Sequence, residues 1–122
     1  MKSLRSIEAK AFVPARDFDL SKRFYQDLGF TLARSSGDVA LFCHDRSAFL
    51  LQNFFVEAFV DNFKMHLLVL RVDDWWSELQ RLRIVERYGL RTAEPPADRP
   101  WGVRDFVLFD PSGVMWRIGS NL

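Results

Sequence analysis

The hydrophobic pattern is clearest near the C-terminus, where two apolar segments flank a turn. The segment 103–109 is rich in aromatic and β-branched residues, and 114–118 is apolar again. The residues between them, 110–113, are Asp-Pro-Ser-Gly, in which the proline presets φ for the second turn position. This pattern predicts a β-hairpin. Because side chains alternate across a strand, its second strand has two faces, one with Val114, Trp116 and Ile118 and the other with Met115 and Arg117.

The first half of the chain predicts one strand, a helix and three more strands. The first strand covers 7–13, and Asp17 is in place to cap the helix that follows. Helical spacing of Leu20, Phe24, Tyr25 and Leu28 ends at Gly29, a typical C-cap residue. The further strands are predicted at 30–33, 39–43 and 48–54.

The same order of elements then begins again after an ambiguous aromatic segment, 55–63. A strand is predicted at 64–72, followed by Asp73 as the cap of a second helix that ends at Gly89. The segment 94–100 contains three prolines and predicts a stiff loop before the final hairpin.

Two spacings of seven residues relate the halves to each other. Lys10 and His66 each precede a predicted cap by seven residues, while Gln52 and Arg117 each follow a turn aspartate by seven. The spacing predicts an internal repeat in which these four residues occupy equivalent positions. We therefore expect a single α+β domain of two βαβββ modules, 1–58 and 59–122.

Composition narrows the function classes. The 122 residues are enough for one domain with its own core. Seventeen basic and 16 acidic side chains nearly cancel without a concentrated basic stripe, which argues against nucleic acid as a partner. No apolar window approaches a membrane span, and the charged start does not match a signal peptide. Cys43 is the only cysteine, so a disulfide within one chain is excluded, and a cytoplasmic location is the expectation.

Two motifs resemble the vicinal oxygen chelate superfamily, which contains glyoxalase I, extradiol dioxygenases and bleomycin-resistance proteins. The segment 17–30 is similar to the family's Asp-x-x-x-Ser-x-x-Phe-Tyr-x-x-Leu-Gly-Phe helix, and 110–113 is similar to its Asp-Pro-x-Gly turn. The resemblance implies that the two modules curve into a cup-shaped sheet. It also implies a homodimer, in which a second chain completes the cup and shares the sites.

In metal-dependent members of the family, the four ligands lie at the positions that the repeat relates, and they are His, Glu or Gln. Here Lys10 and Arg117 take two of these positions, and their charged groups offer no lone pair to a metal. The chain is most similar to bleomycin-resistance proteins, which are implied to sequester a ligand without chemical change. We therefore expect no cofactor, no metal and no enzymatic activity. The alternative is a metal-dependent glyoxalase or dioxygenase with other ligands, drawn from His44, Gln52, Glu57 and His66.

The expected ligand is a small aromatic molecule with an acidic group, because aromatic walls suit a flat molecule and an arginine fork suits an acidic group. Some candidates have a plainer interpretation: Lys10 as the partner of Glu8, Arg117 as a surface ion pair, and His66 as a core histidine. If Lys10 and Arg117 do bind ligand, each needs a counter-charge, for which Glu8 and Asp105 are available. The predicted ligand-binding residues are Lys10, Phe12, Gln52, Phe54, His66, Trp101, Phe106, Met115 and Arg117.

Overall fold

The computed structural model describes all 122 residues, Met1–Leu122, as two four-stranded sheets with helices packed on them. The N-terminal sheet contains β1 (Phe12–Pro14), β2 (Thr31–Ser35), β3 (Val39–His44) and β4 (Ser47–Gln52). The C-terminal sheet contains β5 (Lys64–Leu68), β6 (Glu94–Asp98), β7 (Val103–Phe109) and β8 (Met115–Asn121). The helices are α1 (Phe18–Leu28), α2 (Glu57–Val60), α3 (Val72–Leu82) and α4 (Ile84–Tyr88).

The two sheets have the same topology. Their strand orders are β1-β4-β3-β2 and β5-β8-β7-β6, with the first pair of each sheet parallel and the other pairs antiparallel. The α+β class and the repeated βαβββ order are thereby confirmed. The predicted module boundary between 58 and 59 lies within α2, which connects the sheets. The longest helices have 11 residues, and none is long and apolar enough to cross a membrane.

Helix α1 begins and ends where the sequence predicts. The Asp17 side chain accepts a hydrogen bond from the Leu20 amide at 3.1 Å, which satisfies one free donor of the first turn. Gly29 takes a left-handed φ of 117° and closes the last turn. The helix buries the aromatic pair Phe24 and Tyr25.

Helix α3 is capped differently from the prediction. Arg71 is the N-cap residue and makes no side-chain cap bond, so the prediction of Asp73 as the cap is wrong. The Val72 amide donates instead to the Ser120 hydroxyl at 2.7 Å, a capping partner supplied by β8. Asp73 lies in the first turn and pairs with Arg104. The helix stops at Arg83, where a left-handed residue separates α3 from α4, so the single predicted helix is two.

Three strand predictions also need correction. Strand β1 begins at Phe12 rather than at residue 7, and β5 ends at Leu68 rather than at residue 72. The predicted proline loop contains β6, a strand with two prolines. Strand β6 lies at the sheet edge and pairs irregularly between Glu94 and Ala97, which is where a sheet tolerates residues without an amide hydrogen.

The strand register shows that the four residues predicted to be equivalent are not equivalent, and it relates other positions instead. Val13 pairs with Leu51 and is buried, as Leu67 pairs with Ile118 and is buried, so these pairs are the related ones. His66 therefore corresponds to Phe12, and Arg117 to Leu50. The Lys10 and His66 positions are displaced by two residues because Asp73, taken as the reference, lies two residues beyond the true cap. The Gln52 and Arg117 positions are displaced because the turns after β3 and β7, which supply their reference aspartates, differ in length.

The modules are joined through a buried carboxylate in the turn after β7. Asp110 accepts hydrogen bonds from the amides of Ser112 and Val114 in its own turn, at 2.9 and 2.8 Å. Its other oxygen accepts the Tyr25 hydroxyl of α1 at 2.6 Å, and that hydroxyl accepts the Trp116 indole N–H at 2.9 Å. One side chain thus links the turn, α1 and β8 across the interface between the modules.

Burial of the Asp110 carboxylate raises its pKa from 3.8 to about 6, because desolvation outweighs the hydrogen bonds that favour the charged form. The folded protein then holds this proton more tightly than the unfolded chain. This contribution to the free energy of unfolding is therefore fully present below about pH 4 and lost as the pH rises through 6.

We expect urea unfolding to show a loss of stability on the order of 2 kcal/mol between pH 4 and 6.5 in wild type relative to Asp110→Asn. Asp38→Asn, in an exposed turn, serves as the control and should keep the wild-type slope. Parallel pH profiles for wild type and Asp110→Asn would contradict the assignment.

Candidate functional site

Each sheet has one face covered by helices and one open face. On β1, Val13 is fully buried toward α1, while its neighbour Phe12 is half exposed on the other side. On β8, Trp116 and Ile118 are buried toward the helices, so Met115 and Arg117 are on the open face, as the alternation predicts. The open faces are where the chain places its candidate ligand groups.

The N-terminal sheet has a depression of about 370 Å³ on its open face. Val39, Leu41 and Leu50 form its apolar floor, and the cations Lys10 and Arg34 lie at its rim. The arrangement combines apolar surface with positive charge, which suits an apolar molecule with an acidic group.

Arg34 is a candidate that the sequence prediction missed. Strict alternation from Leu32, which pairs with Phe42, would turn Arg34 toward the helices. A register shift between Leu32 and Arg34 pairs the arginine with Leu41 instead and brings it to the open face. The sequence carries no turn or glycine signal at this bulge.

Lys10 pairs with Glu8, the counter-charge that the sequence predicts for it. Its Nζ lies 2.5 Å from Glu8 Oε1, and both side chains are partly exposed. An exposed pair of this kind contributes little to stability, so Glu8 can yield to another anion at small free-energy cost.

The C-terminal sheet holds a buried carboxylate between two arginines. Asp105 is 1% exposed and accepts Arg99 Nε at 2.8 Å and Arg117 Nη1 at 3.2 Å. The expected counter-charge for Arg117 is therefore present. Two guanidinium groups and one carboxylate leave the cluster with a net positive charge on a partly exposed surface.

Gly119 explains why the Asp105 side chain can be buried against the sheet. The two residues are partners in the β7–β8 register. A Cβ at Gly119 would lie 2.7 Å from the Asp105 Cβ and 2.9 Å from the Arg104 carbonyl oxygen. Only a glycine leaves room for the carboxylate and the two arginines above it.

Trp101 and His66 flank this cluster. The Trp101 ring is exposed, and its centroid lies 6.0 Å from the Arg117 guanidinium carbon. His66 is the register partner of Arg117 on the neighbouring strand and is exposed, so the interpretation of His66 as a core histidine is wrong. The cluster thus combines a cation, an aromatic ring and an imidazole on one surface.

Phe106 does not line this surface, which corrects the sequence prediction. It pairs with Ile118, is fully buried, and packs its ring against Trp76 of α3 with centroids 5.1 Å apart. Because Arg117 pairs with Val107, the open face next to the arginine carries Val107 instead. Phe106 is a core residue under α3.

The remaining predicted residues lie near the N-terminal sheet. Gln52 ends β4 beside Pro14, and Phe54 follows it with a half-exposed ring. The cavity lined by Lys10 is on the N-terminal sheet, whereas Arg117 is on β8 of the C-terminal sheet. The convergence of Lys10, Gln52, His66 and Arg117 therefore remains a prediction.

The residues present do not fit a catalytic metal within one chain. No group of three or more His, Cys, Asp and Glu side chains is arranged to hold an ion. His66 is the strand partner of Arg117, a residue whose fixed positive charge opposes a divalent cation. His44, the other histidine, packs against Trp75 on the helix side, with ring centroids 5.2 Å apart.

The sequence of residues 9–118 matches the family model described as the Glyoxalase/Bleomycin resistance protein/Dioxygenase superfamily. The chain belongs to this superfamily. The match includes the capped α1 helix, the Asp110 turn and both sheets, so the predicted resemblance is confirmed. No curated protein is similar enough in sequence to match.

Solved structures with the same fold include binding proteins and an enzyme. A bleomycin-binding protein from Streptomyces verticillus, complexed with copper(II)-bleomycin, has a TM-score of 0.80 at 18% identity, covering 98% of this chain and 100% of that one. TnmS3, an antibiotic binding protein from Streptomyces sp. CB03234, has a TM-score of 0.75 at 21% identity, with 98% and 100% coverage. A lactoylglutathione lyase from Agrobacterium tumefaciens has a TM-score of 0.71 at 19% identity, with 95% of both chains covered.

Proposed function

We propose that this chain is a metal-free small-molecule-binding protein of the bleomycin-resistance type. Its ligand is an aromatic molecule with an acidic group, which it sequesters without chemical change. The observation that carries the proposal is the Asp105 cluster, in which a buried carboxylate fixes Arg99 and Arg117 below the exposed Trp101 ring. A fixed guanidinium binds a carboxylate through two parallel hydrogen bonds, and an adjacent ring stacks on a flat ligand.

The solved structures of the bleomycin-binding protein and TnmS3 support this class, since both bind small molecules on the same fold. The lyase on the same fold leaves the metal-dependent alternative as a second candidate. The residues favour the binding protein. A metal held by His66 would need further ligands with lone pairs, and the strand partner of His66 is Arg117, which has none. A reduced, cytoplasmic location belongs to the proposal and is supported by the free Cys43.

We further propose a homodimer in which the open face of the N-terminal sheet of one chain meets the open face of the C-terminal sheet of its partner. This arrangement would bring Lys10 and Arg34 opposite Arg117 and Trp101, which lie apart in one chain. It would also cover Phe12, whose side chain is 51% exposed. Exposed aromatic surface and open strand edges favour association with a second copy.

The ligand proposal is tested by calorimetric titration of 1-naphthoate and 1-naphthylmethylamine, which share a ring system and differ in charge. We expect Arg117→Ala to weaken naphthoate binding about tenfold, since it removes a charge-assisted hydrogen bond. The affinity for the amine should stay unchanged in this variant.

Arg81→Ala is the matched control, because Arg81 is an exposed arginine of α3 that pairs with Glu78. It removes one positive charge away from both open faces. Equal naphthoate affinity in wild type and Arg117→Ala would remove Arg117 from the site. Tighter binding of bleomycin, a cationic drug, than of the naphthoate would contradict an acidic ligand.

Metal analysis separates the two candidate functions. After incubation with Ni, Co, Mn, Fe or Zn and then dialysis, we expect the purified protein to retain less than one metal ion per chain. Stoichiometric metal that is retained in wild type and lost in His66→Ala would support the metal-dependent enzyme instead.

The dimer is tested by sedimentation velocity at micromolar concentration, where we expect twice the 14.3 kDa mass of one chain. Phe12→Asp places a charge on the proposed interface and should shift the protein toward monomer. Phe59→Asp is the control, since Phe59 is also a phenylalanine, is more exposed than Phe12, and lies in α2. A wild-type monomer, or equal dissociation by both substitutions, would rule out this arrangement.

A further inference from the structure

Two of the contacts between the modules are related to each other by the repeat. Helices α1 and α3 each have 11 residues and end at a left-handed residue, so Ser21 of α1 corresponds to Trp75 of α3. Helix α1 approaches the turn after β7, and α3 approaches the turn after β3. The first contact is closed by hydrogen bonds and the second is open.

Turn length is the reason for this difference. Phe109 pairs with Met115, so the β7–β8 turn contains the five residues 110–114, whereas His44 pairs with Ser47 and leaves only Asp45 and Arg46 between β3 and β4. The longer turn reaches the loop before α1, where the Ser112 hydroxyl accepts the Arg16 amide at 2.9 Å. The shorter turn cannot make the equivalent contact with the loop before α3.

A groove remains where the shorter turn falls short. It contains two adjoining cavities, and both are lined by His44, Trp75 and Asp74. The one that reaches Leu28 at the end of α1 is called the inner cavity and has a volume of about 330 Å³. The one that reaches the loop between β5 and α3 is called the outer cavity and has a volume of about 680 Å³. Neither cavity is lined by Lys10, Arg34, Trp101 or Arg117, the candidate ligand groups of the open faces. Neither the repeat nor the motifs of the sequence assign it a role.

The inner cavity has an apolar floor and an aromatic wall. Leu28, Leu79 and Leu82 form the floor, and the rings of His44 and Trp75 meet edge to face with centroids 5.2 Å apart. The His44 side chain is 30% exposed and its Nδ1 lies 3.6 Å from Asp45, beyond hydrogen-bond distance. The space and the lining suit one aromatic or aliphatic ring.

Two carboxylates give the inner cavity its charge preference. Asp74 and Glu78 lie one helical turn apart on α3, and both line this cavity. Each pairs with an arginine on the same helix or its cap, Arg71 and Arg81, but these pairs are largely exposed and contribute little. Carboxylates beside aromatic rings favour a cation, through charge and through the ring faces.

We propose that this groove between the β3–β4 turn and α3 is a second binding site, which takes a small cation with an apolar ring and an amine group. The ring lies against Leu79, Leu82 and Trp75, and the ammonium group reaches Asp74 and Glu78 at the rim. This site is independent of the ligand site on the open faces and has the opposite charge preference.

The test uses 2-phenylethylamine and 3-phenylpropionate as probes, since they share a ring and differ in charge. The indole N–H signals of the four tryptophans in ¹H–¹⁵N spectra report where each probe binds, and Trp75→Phe and Trp101→Phe assign the two that matter. We expect the amine to shift the Trp75 signal saturably and to leave the Trp101 signal in place. The propionate should not shift Trp75.

The charge preference is tested with Asp74→Asn and Glu78→Gln, which should each weaken amine binding at Trp75 about fivefold. Asp73→Asn is the matched control, because Asp73 is a similarly exposed neighbour that pairs with Arg104 outside the groove. The proposal is overturned if Trp75 does not respond to the amine, or if it responds equally to the propionate. Equal effects of all three substitutions would overturn it as well. None of these results tests Arg117. The proposal for the groove and the proposal for the open faces can therefore be contradicted independently.

Discussion

The structure depends on one buried carboxylate. Asp110 is buried, and its side chain accepts three hydrogen bonds, two from amides of its own turn and one from the Tyr25 hydroxyl. Tyr25 in turn accepts the Trp116 indole, and its ring packs against Phe42 and Phe49 of the N-terminal sheet. Burial and the neighbouring carboxylate raise the pKa of the Tyr25 hydroxyl well above its ordinary value, so it remains a donor. The two motifs that identify the superfamily, the helix of Tyr25 and the turn of Asp110, are thus joined to each other in the core.

This arrangement separates the residues that mark the family from those that we propose to bind ligand. The family motifs lie on the helix side, where they hold the modules together, and they carry no information about ligand. The open faces are free of this constraint, so their side chains can change chemistry without changing the fold. In this chain they carry Lys10, Arg34, Arg99 and Arg117, a set that suits an anion better than a metal. Family membership therefore establishes the fold, and the proposed function rests on the residues of the open faces.

Much of this architecture could be predicted from the sequence, because local signals and packing agree in α1 and in the final hairpin. Asp17, Gly29 and the Asp110 turn are short-range signals, and the structure uses each as expected. The errors arise where a residue distant in sequence determines the local structure. Ser120 of β8 caps α3 in place of Asp73, and a bulge that no local signal marks brings Arg34 to the open face. Phe106 was placed on the wrong face although its pairing with Ile118, a residue of the buried face, follows from a regular hairpin register. Convergence of Lys10 with Arg117 depends on how chains associate, which no spacing along one chain determines.

The repeat shows how a small difference in chain length gives two related contacts different properties. A five-residue turn places Asp110 and Ser112 against α1 and the loop before it, where both make hydrogen bonds. A two-residue turn is the tighter hairpin connection, but it cannot reach the loop before α3. The equivalent of Ser21 is then Trp75, a ring that faces a cavity rather than a hydrogen-bonded turn. The modules are also joined between α1 and α4, where Asp27 pairs with Arg87 and the Phe24 ring packs edge to face on Tyr88, so their junction does not depend on closing the second contact. In a fold built from two copies of one unit, the contact that is not needed for stability is where a further site can form.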